Sequence, residues 1–64
     1  MNHKEYVLRN CEMLGLDVIK PTRAAPGILV HDWSFKPTRL IVDAHTWAQA
    51  RKQLIDWARK RTQA

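Results

Sequence analysis

Residues 27–44, GILVHDWSFKPTRLIVDA, decide the fold of this chain. Two runs rich in β-branched and aliphatic residues, 27–33 and 38–44, flank the four-residue turn SFKP at 34–37. Runs of this length and composition predict strands, and such a short connection favours an antiparallel pair. The stretch therefore predicts the centre of an antiparallel sheet.

The segments before this stretch extend the pattern. LDVIK at 16–20 predicts a short first strand, and PTRAAPG at 21–27 predicts a loop. HKEYVLRNCEML at 3–14 predicts a helix, because Val7, Cys11 and Leu14 recur at helical spacing and Gly15 follows them as a stop signal. Cys11 lies on this stripe, which indicates a small buried side chain rather than a reactive thiol.

A second helix is predicted from Thr46 to about Arg61. Thr46 and Gln49 have the spacing of a capping box. One side of this helix is aromatic and aliphatic and is expected to face the core: Trp47, Ala50, Leu54, Trp57, Ala58 and Arg61. The order α-β-β-β-α then predicts an α+β fold, a three-stranded antiparallel meander with two helices packed on one face.

Length and charge limit what the chain can be. Its 64 residues predict a single small domain over 1–64. Eleven Lys and Arg against six Asp and Glu give a net charge of +5, which favours acidic partners such as nucleic acid, an acidic protein or an anionic lipid surface. No apolar run has the length of a membrane span, no Cys and His cluster has zinc-site spacing, and no cofactor motif is present. With a single thiol, these features favour a cytoplasmic protein.

The tetrapeptide KPTR occurs twice, at 20–23 and at 36–39. Proline suits both positions because it lacks an amide proton and presets a turn. Successive turns of a meander lie at opposite ends of the sheet, about 17–20 Å apart, so the two copies cannot form one anion pocket in a monomer. We prefer the interpretation that the two copies are unrelated turns with the same turn residues. The alternative is that the two copies together bind two separate stretches of a nucleic-acid backbone.

Strand alternation divides the sheet into two faces. We expect a core face with Ile28, Val30, Leu40 and Val42. The opposite face then carries Leu29, His31 and Trp33 with Arg39, Ile41 and Asp43, and Phe35 lies just beyond. This opposite face is unusually apolar, which leaves three interpretations open: a reversed register, a second copy of the chain, or an open platform for bases or a protein partner.

His31 is the residue that most invites a catalytic interpretation. Neighbouring strand residues point to opposite faces, so Asp32 cannot easily orient its imidazole. The α-β-β-β-α order is similar to that of double-stranded-RNA-binding domains and of HicA-type messenger-RNA nucleases, and the second resemblance implies that His31 would carry cleavage. Both resemblances cover the order of elements and no sequence motif. LV precedes His31 where the nucleases have glycine and hydroxyl residues. The last helix opens with TWAQ, where double-stranded-RNA-binding domains have a lysine-rich start.

Taken together, these patterns predict a non-catalytic binding or regulatory protein. The expected partner is nucleic acid, contacted through a basic last helix and both KPTR turns: Lys20, Arg23, Lys36, Arg39, Arg51, Lys52, Arg59, Lys60 and Arg61. The alternative is a protein-binding adaptor or inhibitor, of the kind that phages and mobile elements encode, with a contact patch that can also form a homodimer: Leu29, His31, Trp33, Phe35 and Ile41. A HicA-like ribonuclease is the third candidate.

Overall fold

The computed structural model describes residues 1–34 and 38–63, with side chains up to residue 61. Its elements follow the predicted order: α1 (His3–Leu14), β1 (Asp17–Ile19), β2 (Ile28–Asp32), β3 (Arg39–Ala44) and α2 (Trp47–Gln63). The three strands form one antiparallel sheet in the order β1-β2-β3. The predicted α+β fold is therefore confirmed, with α2 ending two residues later than expected.

Local hydrogen bonds define both ends of α1. The Asn2 side-chain oxygen accepts from the Glu5 amide at 2.8 Å, which satisfies one of the free amides of the first turn. Gly15 ends the helix in the left-handed conformation, at φ 71°, and the Leu16 amide then donates to the Cys11 carbonyl at 2.8 Å. This turn brings Leu16 into the core and leaves Leu14 exposed. Leu14 was thus wrongly expected to extend the buried stripe.

The core lies between the inner face of the sheet and the two helices. Val7 and Cys11 of α1 and Leu54 of α2 meet the inner residues of the strands. Its buried members are Val7, Cys11, Leu16, Ile28, Val30, Val42, Ala44, Ala50 and Leu54. Val18, Ile41, Trp47 and Trp57 pack against this cluster while staying partly exposed. The register of β2 is the predicted one, because Ile28 and Val30 are buried.

A β-bulge changes the faces of β3. Val30 pairs with Val42, but the next residue of β2, His31, pairs with Leu40, so Ile41 is an extra residue in the ladder. Ile41 consequently packs against the core, while Leu40 stands on the outer face with 50% of its surface exposed. The expected positions of Leu40 inside and Ile41 outside are therefore both wrong, because strict alternation does not hold across a bulge.

Side-chain amides fix the start and the path of α2. The Thr46 hydroxyl accepts from the Gln49 amide at 3.1 Å, and Gln49 Oε1 accepts from the His45 amide at 3.1 Å, so the predicted capping box forms with the return bond one residue earlier. Further along, Gln53 bonds both backbone groups of Asp43, at 2.9 and 3.0 Å. Gln53 therefore satisfies part of the free edge of β3 and holds α2 beside that edge.

Candidate nucleic-acid interface

The exposed side of α2 carries most of the basic residues of the helix. Contacts of the helix identify its flanks: Arg51 faces α1, and Gln53 faces β3. Between them, Lys52, Arg59 and Lys60 are exposed. We call Arg51, Lys52, Arg59 and Lys60 the basic side of α2. At 1.5 Å per residue, these four positions span about 13 Å along the helix axis.

Arg51 packs against an aromatic ring of α1. Its guanidinium carbon lies 4.1 Å from the centroid of the Tyr6 ring on α1, within the range of a cation–π contact. Arg51 is half-buried, and its aliphatic stem covers apolar surface between the helices. This contact positions a positive charge at the α1–α2 junction before any ligand arrives. The sequence alone does not indicate this role of Tyr6, because only the packing of the two helices creates the pair.

A shallow surface groove of about 380 Å³ runs along the basic side of α2. Its lining residues recur at helical spacing: Ala48, Arg51, Lys52, Ile55, Asp56 and Arg59. Three of these six residues are cations and one is a carboxylate. The surface is therefore an apolar strip edged by positive charge.

The C-terminal end of α2 adds positive charge beside the start of β3. The Arg61 guanidinium lies 5.3 Å from the Trp57 ring centroid. Asp32, buried at the end of β2, accepts from the Ser34 amide at 2.9 Å. Hydrogen bonds from the Ser34 amide and hydroxyl lower the pKa of Asp32, and the charges of Arg61 and Arg39 lower it further. The lowered pKa favours the ionised form of Asp32.

The two KPTR segments lie at opposite ends of the sheet, as the meander predicts. The first follows Ile19, which pairs with Leu29, and the second reaches Arg39, which pairs with Asp32. Lys20 and Arg23 are exposed in the first loop. Lys36 and Phe35, a predicted phosphate contact and a predicted interface residue, lie outside the described residues.

The two threonines of the repeat have different structural roles. The Thr22 hydroxyl accepts from the Ala25 amide at 3.0 Å, and the Thr22 amide donates to the Ala25 carbonyl at 2.8 Å, which closes the first turn. In the second copy, a hydrogen bond of 3.2 Å joins the Thr38 hydroxyl to His31 Nδ1. The different bonds support the interpretation of two separate turns rather than a duplicated unit.

The sheet face away from the helices, which we call the outer sheet face, is mainly apolar, with Asp17 and Asp43 on its two edge strands. Trp33 is 61% exposed and Leu40 is 50% exposed, while Leu29 and His31 are half-buried. Ile19 also belongs to this face, since it pairs with Leu29, and it is largely exposed. Ile41, which was predicted to lie here, is absent from the face because of the bulge.

Polar contacts hold Trp33 and His31 in place on this face. Trp33 Nε1 donates to the Asp17 carboxylate at 3.3 Å, and the His31 and Trp33 ring centroids are 6.4 Å apart. Asp32 lies on the other face and is bound to Ser34, so it does not orient the His31 ring, as expected from alternation. The neighbour of His31 Nδ1 is the Thr38 hydroxyl.

The part of the chain that the structure describes has neither a metal-binding cluster nor a membrane-spanning helix. Among residues 1–34 and 38–63, no group of three or more His, Cys, Asp and Glu side chains is arranged to hold a metal ion. Within the same ranges, neither helix combines the length and the apolar character that a membrane span requires. Comparison with protein-family models, curated proteins and solved structures finds no match for this chain.

Proposed function

We propose that this protein binds nucleic acid through the basic side of α2. The observation that carries the proposal is the arrangement of Arg51, Lys52, Arg59 and Lys60 along one side of α2. The first three line a groove with a single carboxylate, Asp56. Lysine and arginine side chains of this kind contact phosphates and release counterions, which supplies affinity without base recognition.

The charge distribution over the two faces of the domain favours this side for a polyanion. The helical face carries the five basic residues of α2, whereas Asp17 and Asp43 occupy outer-face positions on the two edge strands, with Asp17 beside His31 and Asp43 beside Leu29. A phosphate backbone is attracted to the first face and repelled by carboxylates on the second. The Tyr6 contact of Arg51 adds to the argument, because an ordered cation loses less conformational entropy when it meets a phosphate.

Two matched double variants test this proposal. Lys52→Gln with Arg59→Gln removes two charges from the basic side of α2, and Lys20→Gln with Arg23→Gln removes one lysine and one arginine from the first loop. Binding of a fluorescein-labelled DNA duplex and an RNA duplex is measured by anisotropy at low salt. Because all four residues are exposed, both variants should melt within a few degrees of the wild type.

We expect the α2 variant to weaken binding at least about tenfold and the loop variant to weaken it much less, since each lost phosphate contact removes part of the electrostatic affinity. Equal weakening would mean that binding responds to net charge alone and that α2 is not the interface. Absence of binding by the wild type to either duplex and to single strands at low salt would contradict the proposal outright.

The outer sheet face supports a second candidate function, binding of a protein partner. Its supporting observation is that Ile19, Trp33 and Leu40 are all largely exposed on this one face, since exposed apolar surface on a small domain marks interaction sites. The double variant Trp33→Ser with Leu40→Ser should keep the fold and abolish association, measured as light-scattering mass and as the Trp fluorescence shift on adding partner. If that variant unfolds instead, the face is structural, and if the wild type associates with nothing, this candidate is wrong.

A further inference from the structure

A groove between α2 and β3 differs from the rest of the basic surface. It holds about 420 Å³, within the range of small-ligand sites, and it opens beside the start of β3. Its walls come from the two elements that Gln53 ties together: Arg39, Leu40, Ile41, Gln53, Asp56, Trp57 and Lys60. The β3 wall of this groove lies at the bulge and includes Leu40 and Ile41.

The lining of this α2–β3 groove combines an apolar floor with charged rims. Ile41 and Trp57 pack against the core, so the floor is held by the fold. Arg39 and Lys60 are exposed cations at the rim. Asp56 is the carboxylate of the set, and it lies one helical turn before Lys60, about 6 Å along the axis. The groove therefore offers a flat apolar surface, an acceptor and two cations within a short distance.

This combination fits an unpaired nucleotide better than a base pair. A base in a single strand exposes its flat faces, which stack on aromatic side chains, and its pairing edge, whose N–H groups donate to a carboxylate. The phosphate one sugar away is attracted to the cations and repelled by Asp56. In a duplex the base faces are stacked and the pairing edges are occupied, so only the cations would find a partner.

We propose that the α2–β3 groove binds an unpaired nucleotide, with its base against Trp57 and Ile41 and its phosphate at Arg39 and Lys60, and that the protein therefore prefers single strands to duplexes. This inference rests on the proposed nucleic-acid binding, and it adds the class of strand that is bound. Arg61, whose guanidinium carbon lies 5.3 Å from the Trp57 centroid, adds a third positive charge beside the ring.

The test compares a labelled duplex with one of its own strands, chosen to lack internal pairing, by anisotropy at one salt concentration. The wild type should bind the single strand about tenfold more tightly, the order of magnitude that one base–aromatic stack supplies. Trp57→Leu keeps an apolar side chain and removes the stacking surface, so it should lose this preference while duplex binding stays unchanged. Trp33→Leu, the same change on the outer sheet face, should retain the preference.

A second pair of variants keeps the test independent of core packing. Lys60 lines the groove and Lys52 does not, although both are exposed lysines of α2. Lys60→Gln should reduce the ratio of single-strand to duplex affinity, whereas Lys52→Gln should lower both affinities alike and leave the ratio unchanged. If Trp57→Leu alters the melting temperature, the comparison of Lys60→Gln with Lys52→Gln still tests the preference for single strands.

The possible failures are distinguishable. Equal affinities for both strand forms, or a preference for the duplex, would overturn this inference and leave the proposed function standing. Loss of the preference in Trp33→Leu but not in Trp57→Leu would place stacking on the outer sheet face and would also overturn it. Displacement of the labelled strand by an acidic peptide, with no discrimination between strand forms, would assign the groove to a protein ligand. No binding to any nucleic acid refutes the proposed function itself.

Discussion

Replacing Leu54 by alanine and Leu40 by alanine makes the same chemical change at a buried position of α2 and at a position of β3 that the bulge exposes. Leu54 is 2% exposed in the middle of the core, and Leu40 is 50% exposed on the outer sheet face. Truncating a buried leucine removes its transfer free energy and leaves a cavity, which costs about 3 kcal/mol or more. A half-exposed leucine leaves no cavity, so its loss should lower the free energy of unfolding by about 1 kcal/mol or less.

These values are large beside the stability of so small a domain. At ~0.05–0.15 kcal/mol per residue, the whole chain is held by roughly 3–10 kcal/mol. For a domain of this size about 4–8 °C of melting temperature corresponds to 1 kcal/mol, so Leu54→Ala should lower it by roughly 12 °C or more and Leu40→Ala by less than about 8 °C. Urea unfolding followed by circular dichroism at 222 nm gives both free energies.

The refuting result is a reversal of the order. If Leu40→Ala costs as much as Leu54→Ala, Leu40 is a core residue, the strand alternates regularly and the bulge is absent. The α2–β3 groove would then lose one wall. Should Leu54→Ala be unfolded already in buffer, Leu54→Met provides the measurable variant, since a volume-conserving change costs less than about 1.5 kcal/mol.

Three further predictions concern single groups. Gly15→Ala should destabilise the protein by about 1 kcal/mol through backbone strain alone, because Gly15 has φ 71° and a Cβ there would meet no atom within 4 Å; an unchanged urea midpoint would contradict the left-handed cap. Burial raises the pKa of the Cys11 thiol to about 11, so at pH 8 a thiol reagent should modify it only as fast as the protein opens, and rapid modification in the native protein would show an exposed α1 stripe. The pKa of Asp32 is lowered in the folded state, so its stabilising contribution is present above the unfolded value of about 4 and is lost as the pH falls through the folded pKa. Asp32→Asn should therefore reduce the loss of stability below pH 4. The same loss of stability below pH 4 in this variant and in the wild type would contradict the prediction.

Several structural features could be predicted because local chemistry determines them. Gly15 ends α1 because no other residue adopts its conformation without strain. Thr46 and Gln49 predict the start of α2 because the capping hydrogen bond joins residues only three positions apart. The face of β2 that carries Ile28 and Val30 was correctly assigned to the core, although the sequence left the reversed register open.

The faces of β3 could not be predicted because its sequence has no alternation to interpret. Leu40, Ile41 and Val42 are all apolar, so either of the first two can lie inside, and the bulge that selects Ile41 depends on pairing with β2. The α2–β3 groove was missed for the same reason. The Arg51–Tyr6 contact was missed because the two residues are far apart in the chain and meet only when α1 packs on α2.

The salt dependence of nucleic-acid binding tests the central claim most directly. If the four cations of the basic side of α2 each contact a phosphate, a plot of log K against log salt concentration for a duplex should have a slope of roughly −3 to −4, since each contact contributes about −0.9. Lys52→Gln with Arg59→Gln should make that slope shallower by about 2, because each removed phosphate contact changes it by about 1. A wild-type protein that binds no nucleic acid at low salt, or one whose slope is the same with and without Lys52 and Arg59, would contradict the account.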